Sequence, residues 1–273
     1  MHSRLEIPGL DTHLFLRTHT ASDECVSKQI RKYNIWEPFE TSLLVSNLKA
    51  GDVFLDIGAN IGYYTILASA IIKETGVVIA YEPDEDNFRL LCENLALNHA
   101  VNVVPFQAAV SDYNGSGSLF LSPDNKGDHR VYNTGDGRCR RKTRVVNAGD
   151  HLRSLTRHVD FIKIDTQGAE YHILKGLHEI IIDNSSHLKM IVEFWPYGLR
   201  QSGASGEALL DLISDYDMAL FIIDHCGHQL WPVSIDFLRL WVSETDADVS
   251  NQGFINILLT SRLFPPEKLI YGR

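Results

Sequence analysis

Cysteine is sparse and scattered: Cys25, Cys92, Cys139 and Cys226 include no CxxC pair. That spacing argues against a disulfide framework or a cysteine-rich zinc module. It fits free thiols in a reducing compartment, so a cytoplasmic location is expected. Long apolar runs are missing as well. No stretch approaches the ~20 residues that a membrane-spanning helix needs, and residues 1–20 scatter charge where a secretory signal would carry an apolar core. Positive charge is in deficit, with 25 Lys and Arg against 35 Asp and Glu, a formal −10. A broad nucleic-acid footprint needs a basic face, so nucleic acid is an unfavoured partner. Low-complexity sequence and internal repeats are also absent. What remains, 44% hydrophobic and 22% charged residues in a chain of 273, describes a globular protein with room for one α/β domain and an extension.

Against that background one stretch stands out, Asp52-Val53-Phe54-Leu55-Asp56-Ile57-Gly58-Ala59-Asn60-Ile61-Gly62-Tyr63-Tyr64-Thr65. Val53, Phe54, Leu55 and Ile57 suit a strand buried on both faces of a parallel sheet, and Gly58 and Gly62 permit a tight turn and a close backbone approach. A helix through Ile66, Leu67, Ala68 and Ile71 follows, with Asn60 as its expected cap.

Around this stretch, residues 1–50 form an N-terminal extension, with a short strand at Leu14 and Leu16 and a helix marked by Ile35, Phe39, Leu43, Leu44 and Leu48. It is expected to lid the open end of the sheet. Residues 51–273 form the main domain. A strand at Val77 to Tyr81, a helix capped by Asp84 and a strand at Val101 to Phe106 continue the alternation. The pattern breaks at 111–150, a β-rich insertion with strand-like runs at Ser118 to Leu121 and Thr143 to Val146. Strands resume at Val159 to Asp165, Met190 to Phe194, Ala219 to Ile223 and Phe254 to Thr260, and helices are expected at Ala169 to Leu177 and Gly206 to Tyr216. The fold class is therefore α/β, a doubly wound, mostly parallel sheet.

Ligands of such sheets bind beyond the carboxyl ends of the strands. Asp56, Glu82, Asp165 and Glu193 would line one rim there, a cluster of carboxylates that stability does not require. Glu82 lies 24 residues beyond Gly58, near the spacing at which an acid holds a ribose. The segment from Gly58 to Gly62 lacks the middle glycine through which a pyrophosphate approaches. S-adenosylmethionine, a cation with a ribose diol and no phosphate, fits those acids better than a dinucleotide.

These residues, together with Tyr81-Glu82-Pro83, the run from Asp160 to Glu170 (DFIKIDTQGAE) and Ile191-Val192-Glu193, resemble the FkbM family of class I S-adenosylmethionine-dependent methyltransferases. The resemblance covers most of residues 50–195, and Thr166-Gln167 departs from the apolar–Glu pair often found there. It implies a Rossmann-like fold and an O-methyltransferase acting on a hydroxyl of a small molecule or glycan. It places Asp56, Gly58, Asn60 and Gly62 around the methionine portion, Glu82 on both ribose hydroxyls, and Gln107, Ala108 and Ala109 beside the adenine.

Three residues are candidates for the chemistry. Asp165 ends its strand where the methyl would be transferred, as orienter or base of the acceptor hydroxyl. Lys163, in a buried strand, needs an acidic partner such as Asp56, Asp165 or Glu193. His129, within Gly127-Asp128-His129-Arg130, is a second base candidate because imidazole titrates near neutrality. Asp165, Glu170 and Glu193 are candidate ligands for a divalent cation such as magnesium. Arg130, Arg138, Arg140, Arg141, Lys142 and Arg144 form a basic cluster that suits either a solvated hairpin or an anionic substrate. Trp195, Tyr197, Trp231 and Trp241 could stack on a ring. The alternatives to a small-molecule enzyme are a nucleic-acid methyltransferase, favoured only by the basic cluster, and a noncatalytic cofactor-binding module.

Overall fold

The computed structural model describes residues 2–20 and 23–263, so the last ten residues of the expected main domain lie outside the described residues. In chain order the elements are β1 (His2–Arg4), β2 (Phe15–Arg17), α1 (Val26–Tyr33), α2 (Pro38–Asn47), β3 (Val53–Ile57), α3 (Tyr63–Ile72), β4 (Val77–Tyr81), α4 (Glu85–Leu97), β5 (Val103–Phe106), β6 (Ala109–Ser111), β7 (Gly115–Leu121), β8 (Cys139–Asn147), α5 (Ala148–Arg153), β9 (Phe161–Ile164), α6 (Glu170–Asn184), β10 (Lys189–Phe194), α7 (Pro196–Gln201), α8 (Gly206–Ser214), β11 (Met218–Asp224), β12 (Gln229–Val233), α9 (Ile235–Asp246) and β13 (Ile255–Ser261).

Eight strands form one sheet in the order β12-β11-β13-β10-β9-β3-β4-β5. Pairing is parallel from β10 through β9, β3 and β4 to β5, and β13 runs antiparallel between β10 and β11. Alternate residues point to opposite faces, so each inner strand feeds two cores. Phe54, Val78, Phe161, Ile191 and Leu258 pack under the N-terminal extension and α3. Leu55, Ile79, Ile162, Val192 and Leu259 pack against α5, α6 and α8. Burial on both faces explains why these strands read as continuous apolar runs.

This alternation also builds the site. Asp56 pairs in register with Lys163, Ile191 with Lys163, and Glu193 with Asn256. Asp56, Lys163, Glu193 and Asn256 therefore share the face covered by the extension, near the carboxyl ends of the parallel strands.

The broken pattern at 111–150 corresponds to a three-stranded sheet, β6-β8-β7, whose long β7–β8 connection folds back so that Phe120 and Arg130 exchange backbone hydrogen bonds. Asp84 caps α4 as expected, accepting from the Asp86 and Asn87 amides at 3.1 Å. Asn60 does not cap α3. Gly62 takes that position with φ +88, where a Cβ would lie 2.5 Å from Leu91 Cδ1. The Asn60 carboxamide instead accepts from the Ile61 amide at 2.7 Å, closing the turn one step earlier.

Candidate active site

The β3–α3 turn and the end of β4 are tied directly together. The Gly58 and Ala59 amides donate to Tyr81 O at 3.0 and 2.9 Å, and Gly58 passes so close to β9 that an added Cβ would lie 2.0 Å from Asp165 O. The next amide, that of Asn60, donates to Glu82 Oε2 at 2.8 Å, while Asp84 N donates to Oε1 at 2.8 Å. Glu82 is 4% exposed, and its burial pushes the carboxyl up to about 8 despite those amides. It lines a narrow cavity with Gly58, Asn60, Ala108, Ala109, Leu119, His129 and Asp165. A buried acid flanked by small apolar walls at a strand's carboxyl end fits a nucleoside with a free diol.

A second, broader cavity opens beside it. The two share Gly58, Asn60, Gly127, Asp165 and Gln167 in their walls. The broad cavity adds Trp36, Glu37, Tyr64, Arg130, Lys163, Glu193 and Trp195. Lys163 Nζ lies 3.1 Å from Asp165 Oδ2, 3.4 Å from Glu40 Oε1 and 4.7 Å from the centre of the Tyr64 ring. Burial alone would lower the ammonium, but Asp165, Glu40, Glu37 and Asp56 hold it well above its ordinary value. The acids outnumber this cation. Burial, then repulsion from Glu40, pushes Glu37 up to about 7, and burial pushes Asp56 up to about 6.

Glu37, which lines the broad cavity, and Glu40, buried behind it, are acids of this cluster that the sequence did not single out. Glu37 holds φ +41 and ψ +70 immediately before Pro38, and it accepts from Tyr64 Oη at 2.7 Å. Strained backbone of this kind persists where surrounding structure enforces it. The one local signal was Glu37-Pro38-Phe39-Glu40, a helix start carrying two acids.

The expected site residues divide. Gly58, Asn60, Glu82, Ala108, Ala109, His129, Lys163 and Asp165 all line one or both cavities. Asp56 lies beneath them, accepting from Thr65 Oγ1 at 2.6 Å, and its carboxylate lines neither. Gly62 and Gln107 line neither, Gly62 being required by its contact with Leu91.

His129 is not placed to be a base. Its Nδ1 accepts from the Ser122 amide at 3.0 Å, so in the neutral ring the proton sits on Nε2 and no lone pair is free. It also lines the narrow cavity and not the broad one.

The metal trio is not assembled either. Glu170 Oε1 is consumed by Thr166 N, Thr166 Oγ1 and Gly168 N at 3.0, 2.9 and 3.1 Å. Gln167 Nε2 occupies the space between Asp165 Oδ1 and both Glu193 oxygens, 3.0 Å from each. An amide donor thus stands where a cation would have to sit. Among the described residues, the acid and histidine groups close enough to share an ion do not include this trio.

The basic cluster is partly neutralised from within. Arg130 and Arg138 both bind Asp128, and Arg141 reaches Asp84 at 3.1 Å. Of the named aromatics, Trp195 alone lines the cavity, with the Arg130 guanidinium 4.7 Å above its ring, whereas Trp241 packs on Phe194.

The model of the methyltransferase FkbM domain matches residues 56–230. The chain belongs to the FkbM methyltransferase family. Two curated relatives are similar to this FkbM protein. Hexuronic acid methyltransferase AglP of Haloferax volcanii is 30% identical over 138 residues, covering 50% of this chain and 54% of AglP. Methyltransferase sdnD of Sordaria araneosa is 26% identical over 191 residues, covering 57% and 71%. The matched part of this chain thus spans about half of the first relative's length. Among solved structures, methyltransferase FkbM from Methylobacillus flagellatus KT is similar at 15% identity and a TM-score of 0.45, covering 77% of this chain and 43% of that one.

Proposed function

We propose that this protein transfers the methyl group of S-adenosylmethionine to a hydroxyl of a small molecule or glycan. The observation that carries it is the pair of joined cavities. One is shaped for a nucleoside around Glu82, the other is larger and rimmed by carboxylates and indoles, and they meet at Gly58 and Asp165. The cofactor supplies a sulfonium-bound methyl as electrophile. The chain's residues hold the two reactants in line at the junction and take up the hydroxyl proton, so orientation provides much of the acceleration. Asp165 reaches that junction from β9, and Lys163 fixes its carboxylate. Glu37, held near neutrality, is a proton acceptor matched to physiological pH. Trp36, partly exposed in the broad cavity, offers a flat apolar face on which a sugar ring stacks. The sugar-acid activity in the name of AglP supports a glycan acceptor.

Labelled S-adenosylmethionine incubated with the protein, a panel of hexose and hexuronate glycosides and a low-molecular-mass metabolite extract tests this directly. Label should move to a small product identified by mass spectrometry, and Asp165→Asn should reduce the rate about 100-fold or more while S-adenosylhomocysteine still binds. Label appearing only in added RNA or protein would overturn the acceptor assignment.

A further inference from the structure

His129 carries a polar hydrogen with no partner. Its side chain is 5% exposed and lines the narrow cavity, and its buried Nε2 has no hydrogen-bond partner. The direction of that hydrogen is not free to vary. The Ser122 amide can only donate, so Nδ1 is the bare nitrogen and Nε2 bears the proton. The ring is also fixed in place, because the adjacent residue Arg130 exchanges backbone hydrogen bonds with Phe120 at 3.1 and 2.7 Å.

The nearest acid does not relieve the donor. Asp84 Oδ2 lies 3.9 Å from Nε2, beyond hydrogen-bond reach, and it already accepts from the Asp86 and Asn87 amides. Burial pushes the imidazole down to about 4, outweighing the attraction of Asp84, so the ring is neutral under ordinary conditions and presents one N–H. An unpaired buried donor costs a protein stability, and its persistence at a cavity wall is explained when a ligand satisfies it. The same cavity is lined by Glu82, Ala108 and Ala109.

We infer that His129 donates its Nε2–H to the adenosine portion of the bound cofactor, an assignment that rests on the S-adenosylmethionine reading given above. The β7–β8 connection then does more than bound the acceptor space. It supplies a direct contact to the nucleoside in the cavity that Glu82 also lines. His129 is a binding residue, not the proton acceptor.

Two substitutions separate the ring nitrogens. His129→Asn keeps an acceptor near the Nδ1 position for the Ser122 amide and deletes the Nε2 donor, whereas His129→Gln keeps a donor near Nε2. Calorimetric binding of S-adenosylhomocysteine and of adenosine alone would be measured for both variants and the parent, with thermal unfolding of the ligand-free proteins. His129→Asn should weaken both ligands about tenfold, the equivalent of about 1.4 kcal/mol, without lowering the unfolding temperature, and His129→Gln should stay within about threefold of the parent. Unchanged affinity in His129→Asn, a loss confined to S-adenosylhomocysteine, or a loss in both variants together with lowered unfolding temperature would overturn the assignment. A parent protein that binds S-adenosylhomocysteine but ignores His129 leaves the cofactor reading intact, whereas one that binds neither ligand overturns that reading and this contact together.

Discussion

At the scale of single residues, the proposed ribose-binding role of Glu82 would couple ligand recognition to the fold. Its two oxygens are each held by a backbone amide, from Asn60 and from Asp84, so the carboxylate is aimed before any diol arrives. Glu82→Ala should weaken S-adenosylhomocysteine binding by about 10- to 100-fold in calorimetry, the range for losing hydrogen bonds to a charged group. Unchanged affinity would remove Glu82 from the ribose. The same burial makes an explicit pH prediction. Glu82 and Glu37 are raised to about 8 and about 7 from an ordinary value near 4.5, so in the intervening range the folded chain binds more protons than the unfolded one. Stability must then fall as pH rises. His129 works in the opposite sense but only between about 4 and 6.5, which makes pH 6.5 to 8 the informative window. Urea unfolding across that window should show declining stability, each group contributing at most about 1.4 kcal/mol per pH unit, and Glu82→Gln should flatten the slope. A stability that rises from 6.5 to 8 would contradict the burial of these acids.

At the scale of elements, the loop from β9 into α6 decides how Asp165 is presented. Glu170 looked like a metal ligand by residue type, yet it acts as a clasp, taking three donors from Thr166 and Gly168. Glu170→Ala should cost about 2–3 kcal/mol in denaturant unfolding, because buried donors are left unpaired. Exhaustive chelation should leave methyl transfer unchanged, since Gln167 already bridges Asp165 and Glu193; activity restored only by magnesium would refute this. Such contacts mark the limit of legibility. The parallel strands were readable because burial on both faces leaves continuous apolar runs, and the Asp84 cap because capping is local. β12 was not, since Pro232 and exposed Gln229 and Trp231 suit an edge and give no strong strand pattern. Glu37 and Glu40 escaped notice because their partners Tyr64, Lys163 and Asn256 lie 27, 123 and 216 positions away in sequence. His129 drew attention as a titrating side chain, while the Ser122 amide that fixes its tautomer is a backbone group with no sequence signature.

At the scale of the whole molecule, the two cavities draw their walls from different segments, and that division predicts how cofactor binding spreads. The narrow cavity joins the β3–α3 turn, the end of β4 and the β7–β8 connection. Asn60 Nδ2 and Asn87 Nδ2 both donate to Lys126 O, at 3.3 and 2.9 Å, so the connection is tied to the turn and to α4 before a ligand enters. A nucleoside held between Glu82 and His129 would brace all three segments at once. The far edge of the sheet, β11 and β12, contributes no wall to this cavity and is paired into the sheet through β13. Amide hydrogen exchange with and without S-adenosylhomocysteine should therefore show protection in residues 58–62, 82–87 and 122–131, with residues 218–233 unchanged. Because local opening governs exchange in loops, the effect should be largest in 122–131, where the ligand adds a contact to a segment carrying few buried apolar side chains. Protection confined to 58–62 and 82–87 would mean that the β7–β8 connection does not close on the nucleoside. Uniform protection reaching β11 and β12 would mean that the ligand tightens the entire sheet instead of the rim built around Glu82.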